Sequence, residues 1–196
     1  MSNTKVEIRI TKIHCGNTED VTGPDELYFT SMLTDGSAEK TQAEVVGIIS
    51  INDNQHKYPN ALIYSDILAN DRSIRGGVVA FDEDSSKDWA NKPKWIEKLK
   101  DGVIKGLKAS GHPVAVSGGE ILDWGYKIAD AIIKADKDDK LGEKELEVSA
   151  SGPETEKITW HFSKKGDWFG YSSWNYTGDF EIVRTPVSTA DETSNT

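Results

Sequence analysis

The sequence predicts a mainly β domain: an eight-stranded antiparallel sandwich interrupted by a two-helix insertion. Three observations predict it. Short runs rich in β-branched and aromatic residues recur between residues 5 and 184, several with strict apolar–polar alternation. Turn-forming clusters such as DGS, NDNQ and NDRS separate them. Only between about residues 90 and 135 does the apolar period lengthen from two to about 3.6.

The first run, KVEIRITKI, places Val6, Ile8 and Ile10 on one face and then breaks step near Ile13. ELYFTSML, EVVGIISI, NALIYSDIL and GGVVAF follow, which makes five strands in the first 82 residues. KELEVSA, KITWHFS and GDFEIVR supply three more and end near Arg184. The remainder, TPVSTADETSNT, is small, polar and aperiodic, and reads as a disordered tail over 185–196. A single domain therefore spans 1–184. Within GDWFGYSSWNYTGDF the rings of Trp168, Phe169, Tyr171, Trp174 and Tyr176 crowd together, and alternate rings of a hairpin there are expected to pack in a core.

In the insertion, Trp95, Ile96, Leu99, Val103, Ile104 and Leu107 fall at helical spacing, with Asn91 as cap, Pro93 in the first turn and Gly111 as terminator. A second helix is read from Ser117, which has capping-box spacing to Glu120, through Ile121, Ile128, Ile132 and Ile133. Gly102, Gly106 and Gly125 each cost a helix about 1 kcal/mol relative to Ala. Close packing of two helices in a hairpin offsets that cost. Residues 92–108 hold six lysines against Glu97 and Asp101, so the first helix is basic on its polar side. Such a helix either lies on a lipid surface or turns its lysines to water.

Thirty-three acids against 23 Lys and Arg leave a net charge of −10, which argues against a nucleic-acid partner, because phosphate contacts need clustered positive charge. Cys15 is the one cysteine, so no intramolecular disulfide is possible. No apolar run approaches the roughly 20 residues that span a bilayer. MSNTKVEIRI lacks the apolar core of a secretory signal, and the expected location is cytoplasmic or leaderless-exported.

The acids are not evenly spread. Glu19, Asp20, Asp25 and Glu26 follow the first strand; Asp82, Glu83, Asp84 and Asp88 follow the fifth; Asp136, Asp138, Asp139 and Glu143 precede the sixth. In a sandwich, loops at one end converge, and Ca²⁺ takes six to eight oxygens at about 2.3–2.6 Å, mostly from carboxylates and carbonyls. DKDDKLGEKELE carries acids at the first, third and twelfth positions of an EF-hand loop, but its glycine sits at the seventh position and no exit helix follows. Zinc is a poorer fit, since His14, His56, His112 and His161 are isolated.

These residues resemble the C2 domain, an eight-stranded Ca²⁺-binding β-sandwich. DVTGPDELYF, between the first two strands, is similar to that family's first acidic loop, and the resemblance sets Asp20 as its first carboxylate and either Asp25 or Glu26 as its second. FDEDSSKD and DDKLGEKELEV resemble the two halves of the second acidic loop, with Asp82, Asp84, Asp138 and Asp139 in it, and the helical insertion lies between the halves. The resemblance implies that Asp20, Asp25, Glu26, Asp82, Asp84, Asp88, Asp138 and Asp139 hold Ca²⁺ at one end of the sandwich.

The function expected on these grounds is calcium binding that stabilises the domain or attaches it to a lipid, glycan or protein surface. The reading from another class is an interaction or toxin-like protein whose helical hairpin is the active element. No phosphate loop, nucleophile elbow or spaced acid pair marks an enzyme.

Overall fold

The computed structural model describes residues 2–18, 24–83, 101, 105, 139–165 and 173–188. Nine strands are present among them: β1 (Asn3–Asn17), β2 (Asp25–Thr34), β3 (Gln42–Ile51), β4 (His56–Lys57), β5 (Ala61–Ala69), β6 (Ser73–Asp82), β7 (Asp139–Ser149), β8 (Thr155–Lys164) and β9 (Trp174–Val187). All eight strands expected from the sequence are among them. The ninth, β4, is a two-residue pairing of Lys57 with Ile13 and His56 with His14, too short to carry a period. β9 continues to Val187, past the expected end at Arg184. Of the expected two-helix insertion, Asp101 and Lys105 have helical backbone, and its other residues lie outside those described. So do residues 189–196 of the expected tail.

Two antiparallel sheets form the sandwich. One runs β4-β1-β9-β8, with β5 on the same edge of β1 as β4; the other runs β3-β2-β6-β7. The longest ladder joins the first and last strands, from Asn3 opposite Val187 to Asn17 opposite Asn175. Its register explains the phase break near Ile13. A β-bulge between Ile10 and Lys12 absorbs the extra residue, and Val6, Ile8, Ile10, Ile13 and Cys15 all point inward with no exposure. A second bulge, where Arg9 faces Leu62 and Ile8 faces Tyr64, turns both Ile63 and Tyr64 inward.

Between the sheets the apolar sides interlock. Trp160 and Phe162 from β8, Tyr176 and Phe180 from β9, and Phe29 from β2 form a column with ring separations of 4.3 to 6.4 Å. Each ring taken wholly out of water contributes roughly 2–3 kcal/mol. Gly142 on β7 leaves room for the column, since a Cβ there would stand 2.7 Å from Phe162 Cβ. Trp174 and Tyr176 are buried on alternate positions of β9, as expected for that aromatic segment, whose Trp168, Phe169 and Tyr171 lie outside the described residues.

β2 has no solvent face. Leu27, Phe29 and Leu33 join the core, while Tyr28 and Phe81, on the other side of their sheet, stack at 5.1 Å and are also fully buried. Along one flank the edges β3 and β5 are stitched by a side chain: Gln42 donates to Ser65 O at 2.8 Å and accepts from Ser65 N–H at 3.0 Å. Lys40 bridges to Asp66 beside it at 3.1 Å. This blunts two edges that would otherwise be open to further pairing.

Candidate functional site

β1, β3, β6 and β8 end, and β2, β7 and β9 begin, at the same end of the sandwich. That shared end is where the acidic connections emerge. Asp82 lies opposite Leu27 on one side and opposite Asp139 on the other. Neighbouring strands are roughly 4.8 Å apart, so Asp25, Glu26, Asp82, Glu83 and Asp139 share a narrow strip, while Glu143 lies farther along β7, opposite Val79.

The described carboxylates do not all face outward. Asp25 has the same inward parity as Leu27 and Phe29 and is fully buried. Its Oδ2 accepts a hydrogen bond from the Tyr176 hydroxyl. Tyr176 sits opposite Cys15 on β1, so a thiol, a phenol and a carboxylate adjoin inside the sandwich. Burial, reinforced by the Asp25 hydrogen bond and charge, pushes the Tyr176 hydroxyl well above the ordinary tyrosine range. Burial likewise pushes the Cys15 thiol up to about 11, against a lowering contribution from Tyr176.

Asp82 is 4% exposed and its Oδ1 accepts the Glu26 N–H at 2.9 Å, while the Glu83 N–H donates to Glu26 O at 3.2 Å. These bonds continue the β2–β6 ladder to its last residues. Glu26 is half-buried, and Glu83 is buried. Asp139 opens β7. The remaining residues of the sequence-derived set, Asp20, Asp84, Asp88 and Asp138, lie outside the described residues.

One further acid belongs to this end. Asp53, in the turn after β3, accepts Thr18 N–H at 2.7 Å and Thr18 Oγ1–H at 2.8 Å, and these bonds hold its carboxyl below the usual range. NDNQ shows only a turn in the sequence. Nothing local reveals that its Asp reaches the end of β1 thirty-five positions away.

Among the described residues, no three His, Cys, Asp or Glu side chains are grouped so as to hold a metal ion. Asp25, Asp53 and Asp82 each accept protein donors that fasten a strand end. Also among the described residues, no helix is long and apolar enough to cross a membrane.

No family model matches the sequence, and no curated protein does. Solved structures similar to this chain include human GIVD cytosolic phospholipase A2 in complex with methyl gamma-linolenyl fluorophosphonate, at 10% identity and a TM-score of 0.44 over 94% of this chain. The chain spans 17% of that phospholipase chain. A C2 domain of plant extended synaptotagmin 1 is 9% identical at a TM-score of 0.41, covering 94% of this chain and 95% of that one. A further C2 domain is 12% identical at 0.36, covering 94% and 99%.

Proposed function

We propose that this protein is a binding module rather than a catalyst: a C2-like sandwich that takes Ca²⁺ at its acidic end and attaches there to an anionic lipid surface. The observation that carries the reading is the strand register, which sets Asp25 and Glu26 on β2, Asp82 on β6 with Glu83 just past it, and Asp139 on β7 at one end. Acidic loops repel anionic headgroups until divalent ions reverse the local sign, so calcium and lipid attachment follow from one arrangement of charge. In this reading the eight carboxylates divide their work. Asp25 and Asp82 hold the starts and ends of strands through Tyr176 and the Glu26 amide. Asp20, Glu26, Asp84, Asp88, Asp138 and Asp139 supply the oxygens for the ion.

Calorimetric titration and thermal melting with Ca²⁺ or chelator test it. A ligand at 100 times its Kd stabilises the folded state by about 2.7 kcal/mol, so the wild type melts higher in calcium. Asp84→Asn with Asp138→Asn loses that rise and keeps the melting temperature in chelator. Asp25→Asn does the reverse: it lowers melting in chelator and keeps the rise. Unchanged wild-type melting at about 5 mM Ca²⁺ overturns the calcium reading. Pelleting with phosphatidylserine vesicles that calcium does not increase overturns the lipid step.

A further inference from the structure

The acidic end has a second half with the opposite chemistry. On the β1–β9–β8 side a cleft of about 410 Å³ is lined by Asn17, Ser163, Lys164, Lys165, Ser173, Trp174 and Asn175. In a chain of net charge −10, none of these is acidic and two are lysines. Among the described residues neither lysine has a carboxylate partner. Lys164 instead holds its ammonium 4.8 Å from the centre of the Trp174 ring. That contact fixes the position of the cation without neutralising it.

The walls are set by strand pairing. Asn175 lies between Asn17 and Ser163 in register, and Trp174 is opposite Lys164. The Trp174 indole N–H donates to Leu141 O at 3.0 Å, and the Asn17 amide donates to Ser173 Oγ at 3.0 Å. The cleft is thus lined by two lysines, two serines and two asparagines, with the Lys164 ammonium held over the Trp174 ring. An ammonium is a compact point charge with three donors, suited to the oxygens of a phosphate dianion. Serine hydroxyls and asparagine amides suit the polyol that carries it.

We infer that the cleft beside Lys164, Lys165 and Trp174 binds a phosphate monoester. Two sources offer that chemistry, a soluble phosphorylated polyol and the headgroup of a membrane lipid. The site goes beyond the calcium reading and does not need it, because the charge of its described lining is already positive.

The experiment is run in chelator, so failure of calcium binding does not touch it. Glycerol 3-phosphate is titrated calorimetrically, and phosphatidylcholine vesicles with and without phosphatidic acid are pelleted with the protein. Wild type is compared with Lys164→Gln/Lys165→Gln, and with Lys5→Gln/Lys157→Gln, which removes the same charge at the opposite end of the sandwich. The expected result is saturable wild-type binding to at least one probe, weakened about tenfold or more by the first pair and unchanged by the second. Binding to the soluble ester alone identifies a free polyol phosphate as the ligand; binding to the phosphatidic acid vesicles as well identifies the headgroup. No saturable binding to either probe up to about 10 mM ester overturns the inference. So does equal loss in the two double variants, which marks the attraction as diffuse charge.

Discussion

Tyr176→Phe removes the hydroxyl that links Asp25 and Cys15 at the acidic end. The substitution deletes a hydroxyl and leaves the ring, so stacking on Phe162 at 5.3 Å remains and no cavity of consequence opens. What is lost is the donor to Asp25 Oδ2, with both residues fully buried, and the weaker bond between that hydroxyl and the Cys15 thiol. A hydrogen bond to a charged group contributes about 1.5–3 kcal/mol. For a chain of 150–250 residues, 1 kcal/mol moves the melting temperature by about 2–4 °C, so the variant should melt about 3–12 °C lower. Differential scanning calorimetry and urea denaturation in chelator measure it. The same decrement is expected in calcium on the proposed division of work, in which Asp25 fastens β2 to β9 and the other carboxylates supply the oxygens for the ion. A loss within about 1 °C of zero would refute the inward role given to Asp25. A loss confined to the calcium-loaded protein would show instead that Asp25 belongs to the ion.

Two further outcomes follow from the same packing. Gly76→Ala is expected to cost more than about 3 kcal/mol, because φ there is +152° and a Cβ would stand 2.0 Å from Met32 O, whereas Gly77→Ala meets only Lys144 O at 3.6 Å and should cost about 1 kcal/mol or less. Denaturant midpoints of the two variants make the comparison. The Cys15 thiol, raised to about 11 in the folded chain, contributes stability that is complete below the ordinary thiol value and lost as pH rises through about 11. Cys15→Ala should flatten that alkaline decline, as read from denaturation at a series of pH values, and an unchanged slope would count against burial as its cause.

The strands were legible because their signals are local. β-branched alternation and turn chemistry identify eight of them, and DGS shows why: Gly36 takes φ of +93° and Asp35 Oδ1 accepts the Ser37 N–H at 2.8 Å, all within four residues. The phase break after Ile10 was visible too, but only the partner strand reveals it as a bulge that returns Ile13 and Cys15 to the core. β4 escaped because two residues carry no period. The acidic clusters were visible as composition, and their common end follows from the strand order. The direction of each carboxylate was not visible. A polar residue at a strand edge reads as loop, and Asp25 reads as a loop acid until Tyr176, 151 positions away, supplies its donor.

By itself the sequence determined a β-rich chain with three acidic connections and an aromatic-rich segment near its end, since propensity, turn chemistry and charge act over a few residues. Tertiary structure alone decided that β1 pairs with β9, that Asp25 and Asp82 turn inward, and that Lys164 and Lys165 share a cleft with Asn17. The physical reason is register. A single-residue slip in a ladder exchanges the inner and outer faces of a strand, and register is set by pairing partners far apart in the chain.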